Sequence, residues 1–458
     1  MICLSDHKNI HCIGVGGIGL SAIAEILLSR GYRVSGSDMK ESDITENLAH
    51  KGVKIYIGHR AANVEDVDLI VYSAAVGKDN PELVRAAEKG IQTATRAEML
   101  GVLMDEYENS IAISGTHGKT TTTSMVSLIL EKAKLEPTIL VGGTLSEIGG
   151  NVKVGHSKYF ITEACEYMDS FLNLKPKTEI ILNIDSDHLD YFKDIDHIAS
   201  SFDKFAKLIP SDGKLIAYDA NPFVNKIVTN VPNAITFGYS EGCAYRITNV
   251  VFNASGMPAF DVSYNGELLG TVQLAVPGEH NILNSTAAFA CCHQLGVSTE
   301  CIIETLEGFT GTQRRFDIIG TTAKGVKLVD DYAHHPTEIK ATLSAAHNIP
   351  HEKLWCIFQP HTYTRTTALF DDFAEAFAEA DNLILAEIYA ARETNIHKIS
   401  AKSLAERIQE THPDKNVMFE ADFDKIAKFV KKNAAKGDLV ITMGAGDIYK
   451  VGELILNK

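Results

Sequence analysis

The stretch IAISGTHGKTTTTSM, residues 111–125, sets a short apolar strand against a glycine loop and a threonine-rich helix. Strict P-loop spacing would put the first glycine at position 113, which is Ile113. The shorter loop keeps the groups that bind phosphate. Backbone amides of Gly115, Thr116, His117, Gly118 and Lys119 can wrap a phosphate, the Lys119 ammonium can neutralise the terminal phosphates, and the Thr120 or Thr121 hydroxyl can reach a magnesium ion. An apolar strand before the loop and a helical pattern over 120–133 after it supply the strand-loop-helix context that such a loop requires.

Upstream, CIGVGGIGLSAIA at residues 12–24 places Gly14, Gly16 and Gly19 in G-x-G-x-x-G spacing. The pattern predicts a buried strand over 9–15, a helix over 18–29 and a second strand, YRVSGSD, ending at Asp38. A Rossmann fold holds a ribose on an acid at that place, so this unit alone points to an NAD-dependent oxidoreductase. The same glycines also suit any diphosphate resting on a helix N-terminus, or a tight turn with no ligand. Two phosphate-type loops in one chain raise the question of which nucleotide each one holds.

At 458 residues and 45% hydrophobic, the chain is long enough for roughly two to four domains. Polar DEYENS at 105–110 precedes a fresh strand, and GFTGTQRRFD at 308–317 precedes a renewed alternation of strands and helices. Boundaries there divide the chain into 1–107, 108–311 and 312–458. The expected fold is α/β in three domains: a Rossmann-like N-terminal domain, a central P-loop ATPase-type domain, and a Rossmann-like C-terminal domain with strands in VKLVDDY, LWCIFQP, NLILAEIY and DLVITMGAGD. Residues 243–276 alternate in period two around Gly and Asn turns, which predicts a small antiparallel sheet within the central domain. A net charge of -16 opposes nucleic acid or an anionic membrane as partner. Eight cysteines without a CxxC pair, no leader-type N-terminus and no apolar run of about 18 residues fit a soluble cytoplasmic protein.

Further polar clusters close apolar strands, at the ends where open α/β sheets bind ligands. Glu163 ends KYFITE, and His188 lies in NIDSDHLD beside Asp185, Asp187 and Asp190. Phosphoryl transfer needs a metal with carboxylate or imidazole ligands, which makes Glu163 and His188 candidates alongside Thr120. Which acid touches the metal stays open, and a loop histidine satisfied by its neighbours is an equal reading of His188. In PGEHNILNSTAA, Asn281 and Asn284 stand one helical turn apart and suit the edge of a base, or an exposed polar helix face. Arg314 and Arg315 either clamp phosphate across domains or are solvated. VDDYAHHPTE and QPHTYTRT each end a strand with His, Tyr or Arg, a set suited to a small carboxylate or an activated acyl group. His334 and His335 have no carboxylate or thiolate at an obvious ligand spacing, so a metal there is the weaker idea.

In this order, HCIGVGGIGLSAIA, GTHGKTTT, EACEYMDSF, DHLDYF, GEHNILNSTAA, RRFD, DDYAHHPTE, QPHTYTRT and GAGDIY resemble the motifs of the Mur ligase family over nearly the whole chain. The resemblance implies UDP on the first loop and ATP on the second. It implies ligation of L-alanine to the lactyl carboxylate of UDP-N-acetylmuramate through an acyl phosphate, with a ligase for a recycled peptide as the nearest alternative. Carried over, Lys119 would hold the ATP phosphates, Glu163 and His188 magnesium, and Asn281 and Asn284 the adenine side, while Arg315 and Asp331 would close the ATP site. Tyr332, His334, His361 and Arg365 would form the amino-acid pocket, and Gly16, Gly17, Ile18, Asp38 and Ser73 would contact the UDP moiety. Thr362 stands where some members carry arginine. Sister ligases carry a carbamylated lysine that is not expected here at Lys204 or Lys207.

Overall fold

The computed structural model describes residues 2–456 apart from 233 and 392. Their strands form three sheets. The first has five parallel strands in the order Lys54–Ile57, Arg33–Asp38, Asn9–Ile13, Leu69–Tyr72 and Gln92–Thr95. Strand order reverses between Asn9–Ile13 and Leu69–Tyr72, so the loop after Asn9–Ile13 opens into the crevice that doubly wound sheets use for ligands. The helix Ile18–Ser29 follows that loop with the predicted bounds.

The second sheet has ten strands, and Asn109–Ser114 runs parallel between Thr178–Ile181 and Tyr159–Glu163. Ile113 is fully buried within that strand. The phosphate-type loop therefore begins only at Gly115, and a glycine at 113 would weaken a core strand without serving the loop. The period-two segment forms the antiparallel meander Tyr245–Phe252, Pro258–Tyr264 and Glu267–Gln273. It is continuous with the central sheet, because Tyr245 pairs in parallel with Phe237. At the other edge, Thr138–Leu145 and Gly150–Lys153 make a hairpin.

The third sheet has six strands in the order Asp317–Thr321, Lys327–Asp331, Leu439–Met443, Leu354–Phe358, Asn382–Leu385 and Asn416–Phe419, the first antiparallel and the rest parallel. Alternate residues of Leu354–Phe358 enter different cores. Cys356 and Phe358 join Ile339 and Leu343 on one face, while Trp355 and Ile357 join Ile426 and Val430 on the other, as a parallel sheet covered on both faces requires.

The two seams between these units differ. Met99, Leu100 and Leu103 of the helix Arg96–Met104 share one apolar cluster with Phe171 and Leu174 of the central unit. A Cβ on Gly101 would collide with the Asn173 carbonyl, so glycine permits the close approach there. The third unit meets the central one largely through side-chain hydrogen bonds, described below. No helix among the described residues is long and apolar enough to cross a membrane.

Candidate active site

The loop at 115–118 needs its glycines. Gly115 (φ +132°) and Gly118 (φ +87°) both occupy left-handed backbone, and a Cβ on Gly118 would collide with Oδ1 of Asn284. Asn183, just beyond the strand Thr178–Ile181, clamps the loop: it accepts from the His117 N–H (2.8 Å) and donates to the His117 carbonyl (3.0 Å). Lys119 opens the helix Lys119–Lys132 and donates to the carbonyls of Gly115 (2.5 Å) and Thr116 (3.1 Å) and to Glu166 (2.9 Å). Desolvation alone would lower its pKa, but the Glu166 carboxylate outweighs it and raises the value, so the ammonium stays charged. Buried Glu166 is the internal counter-ion of Lys119.

A cavity of about 370 Å³ adjoins the loop. His117, Gly118 and Thr121 line it together with Asn281, Asn284, Arg315 and Asp331. Tyr218, Phe237 and Phe309 add aromatic walls suited to a flat base. The two asparagines are tied to one another (3.2 Å), and Asn281 donates to the Pro277 carbonyl (2.7 Å). Arg315 enters from the segment between the second and third sheets, where both of its neighbours, Arg314 (φ +60°) and Phe316 (φ +48°), hold left-handed backbone, a strained arrangement for residues with side chains. Arg314 turns the other way, to Asp330 (2.9 Å) and the Gly444 carbonyl (2.6 Å). Asp331 accepts from the backbone of Phe316 (2.8 Å) and Ala333 (2.7 Å); burial pushes its pKa up to about 6, against the pull of Arg315.

Glu163 ends its strand with a carboxylate oxygen on the Gly142 N–H (2.6 Å). A Cβ on Gly142 would stand 2.8 Å from both Glu163 oxygens, and one on Gly143 would stand 3.2 Å from the Thr120 methyl. The paired glycines thus keep a cradle open beside Thr120 and Glu163. His188, in left-handed backbone (φ +52°), packs on Tyr167 and lies 4.0 Å from Glu166 and 3.9 Å from Asp187. A hydroxyl, a carboxylate and an imidazole around a phosphate loop form a donor set that fits magnesium, which takes few protein ligands and completes its shell with phosphate and water.

A second titratable cluster was not legible from spacing. Donor atoms of His117, Asp185 and His335 lie within 4.8 Å of one another. Burial would lower the His117 pKa, but hydrogen bonds to Asp185 (3.3 Å) and Glu338 (3.1 Å) raise it to about 9. Hydrogen bonds from this cluster latch the second loop to the third unit across the seam. Thr337 donates to Asp185 (2.6 Å), His335 to the Ser186 carbonyl (2.8 Å) and Arg365 to Asp187 (2.9 Å).

Beyond the latch lies another cavity, of about 410 Å³, lined by Asp187, His188, His361, Thr362 and Arg365 among others. His334 sits 5.9 Å from the His361 ring and 5.4 Å from the Tyr332 ring. The Tyr332 ring lies beneath both Arg314 (5.0 Å) and Arg315 (5.2 Å). Burial pushes His334 and His361 down to about 4, so both rings are neutral at pH 7. Thr362 opens the helix Tyr363–Ala368 in left-handed backbone (φ +65°).

Around the first loop, the Gly14 and Val15 amides donate to the Ser37 carbonyl (2.8 and 3.0 Å), and the Gly16 amide donates to the Asp38 carboxylate (2.9 Å). A Cβ on Gly14 would stand 3.3 Å from Ser73. Gly16, Gly17, Ile18, Asp38 and Ser73 thus converge on one helix start, with Asp38 bracing the loop. Glu166, Asn183 and Glu338 drew no assignment from the sequence, although each stands inside a motif or at a strand end that does.

Three family models match the chain: Mur ligase family, catalytic domain over residues 9–108; Mur ligase middle domain over 113–292; and Mur ligase, glutamate ligase domain over 314–446. The chain belongs to the Mur ligase family. It is 51% identical over 450 residues to the UDP-N-acetylmuramate--L-alanine ligase of Alkaliphilus metalliredigens, covering 98% of this chain and 97% of that one. Its fold matches the UDP-N-acetylmuramate-alanine ligase of Thermotoga maritima at a TM-score of 0.83 and 29% identity, over 98% and 99% of the chains. A murein peptide ligase from Psychrobacter arcticus matches at 0.73 and 25% identity, over 98% of each. Family membership across all three units sets aside the oxidoreductase reading of the first loop.

Proposed function

We propose that this chain joins L-alanine to the lactyl carboxylate of UDP-N-acetylmuramate, converting ATP to ADP and phosphate, as a step of peptidoglycan precursor synthesis in the cytoplasm. The observation that carries the reading is the pair of adjoining cavities: one beside the Lys119 loop with asparagines and Arg315, the other with His361 and Arg365. Units 1–107, 108–311 and 312–458 would hold the UDP-sugar, ATP and the amino acid.

A carboxylate does not condense with an amine at neutral pH until one of its oxygens becomes a leaving group. The lactyl carboxylate attacks the γ-phosphorus of ATP, the bond to ADP breaks, and an acyl phosphate forms. The Lys119 ammonium, released from Glu166, neutralises the crowded phosphate oxygens. Asn281 and Asn284 hold the adenine side, and Arg315 with Asp331 closes that cavity. Thr120, Glu163 and His188 would hold magnesium, which when bound supplies further charge neutralisation. The alanine amine then attacks the acyl carbon, the carbon–oxygen bond to phosphate breaks, and the amine loses a proton. Neutral His334, whose Nδ1–H donates to the Tyr332 carbonyl (2.9 Å), accepts a hydrogen bond from the amine at Nε2; neutral His361, whose Nδ1 accepts from Arg365 (3.3 Å), adds no repelling charge, and Arg365 offers its guanidinium to the alanine carboxylate. Binding groups drawn from three units make positioning the main contribution.

The test is ADP release with magnesium, ATP and UDP-N-acetylmuramate, run with L-alanine, glycine, L-serine or a muropeptide-type tripeptide. ADP that requires L-alanine is the expected result. ADP that requires the tripeptide would move the chain to the recycling activity, and no ADP with any acceptor would sink the ligase reading.

A further inference from the structure

Arg96 opens the helix Arg96–Met104, and its side chain turns back across the start of the helix Ile18–Ser29. A Cβ on Gly19 would stand 3.2 Å from Arg96 Cδ and 3.3 Å from Nη1, so glycine at 19 leaves open the lane that the guanidinium occupies. Arg96 also lies within Coulomb range of the Cys165 thiol, whose other cationic neighbour is Lys119. Cys165 in turn precedes Glu166, the partner of Lys119. The Arg96 cation therefore stands between the two glycine loops.

It is half-buried and makes no hydrogen bond or ion pair among the described residues. The other described arginines pair with a carboxylate, as Arg30, Arg314 and Arg365 do, or lie exposed, as Arg33 and Arg60 do. In a chain with 59 acidic side chains, a partly desolvated guanidinium with no counter-charge is conspicuous, because burying an unpaired charge is unfavourable. The arrangement leaves its fork of donors free for an anion that arrives with a ligand.

We propose that Arg96 binds an acidic group of the sugar nucleotide and aims that substrate from the first loop toward Lys119. The proposal rests on the reading of the substrate as UDP-N-acetylmuramate. Two acids of that molecule fall along the span between the loops: the diphosphate, set on the helix start at Gly16, Gly17 and Ile18, and the lactyl carboxylate, which must reach the terminal phosphate of ATP at Lys119. Both present oxygens that a guanidinium binds in bidentate fashion.

The test compares dissociation constants for UDP-N-acetylmuramate, UDP-N-acetylglucosamine and ATP in the wild-type chain, Arg96→Gln and Arg96→Lys. The expected result is a roughly 10- to 100-fold weakening of UDP-N-acetylmuramate by Arg96→Gln, the size of one charge-assisted hydrogen bond, with ATP binding unchanged and partial recovery in Arg96→Lys. A loss shared by UDP-N-acetylglucosamine assigns the contact to the diphosphate; a loss confined to UDP-N-acetylmuramate assigns it to the lactyl carboxylate. Unchanged binding of both sugars, or equal weakening of ATP, overturns the proposal. Should Arg96→Gln unfold, Arg96→Met, which keeps the apolar stem and removes the charge, carries the same comparison. A wild-type chain that binds UDP-N-acetylmuramate but releases no ADP contradicts the ligase reading alone; one that binds no UDP-sugar contradicts both.

Discussion

Both glycine loops join a buried parallel strand to a helix N-terminus, yet they differ in what stands beside the glycines. At the second loop Lys119 follows Gly118 directly, and Thr120, Glu163 and Glu166 surround it. At the first, the carboxylate of Asp38 takes the Gly16 amide, and residues 14–19 contain no cation. A loop with its own ammonium can neutralise a phosphate whose bond is breaking, whereas a loop whose nearest cation, Arg96, comes from another helix suits a diphosphate that stays intact. Glycine spacing reports how closely backbone approaches phosphate; the neighbouring side chains decide what chemistry follows.

The sharpest way to break this contrast is Lys119→Ala. It should lower ADP formation by roughly 100- to 1,000-fold or more, while UDP-N-acetylmuramate binding measured by calorimetry stays within about twofold of wild type. Next come two matched glycine substitutions. Gly118→Ala puts a Cβ against Asn284 in left-handed backbone, and the strain of about 1–2 kcal/mol should weaken ATP by about tenfold and spare the sugar. Gly16→Ala puts a Cβ 2.8 Å from Asp38 Oδ2 and should do the reverse. Titrations of each variant with both nucleotides decide the matter, and a variant that weakens both equally would erase the distinction between the loops.

The smallest effect belongs to the polar seam. The His117 pKa is raised from 6.5 to about 9 in the folded chain, so its stabilising contribution is complete below about pH 6.5 and is lost as pH rises through about 9. The unfolding temperature of the ligand-free chain should fall more steeply over that window in wild type than in His117→Gln, by a few degrees at most. Parallel curves would remove His117 from the latch.

What the sequence made legible was local. The strand-loop-helix units around Gly14 and Gly115 carry their own punctuation, and the helix Ile18–Ser29 has the predicted bounds. The hairpin Thr138–Leu145 and Gly150–Lys153 escaped because Gly142 and Gly143 interrupt its apolar alternation, and those glycines serve Glu163 and Thr120 instead of the strand. The predicted antiparallel segment is present but extends the central sheet, since pairing partners are a tertiary choice. His335 shows no carboxylate at ligand spacing in the sequence because Asp185, whose oxygen the fold brings within 4.8 Å of it, lies about 150 residues away. Glu166 lies inside the motif EACEYMDSF, and only the fold reveals that it neutralises Lys119.

The most direct test of two loops holding two nucleotides is calorimetric titration of UDP-N-acetylmuramate into the chain already saturated with a non-hydrolysable ATP analogue, repeated with Lys119→Ala. The account predicts that the sugar nucleotide binds with the analogue in place, and that Lys119→Ala loses the analogue alone. Competition between the two ligands, or loss of both in the variant, would contradict it.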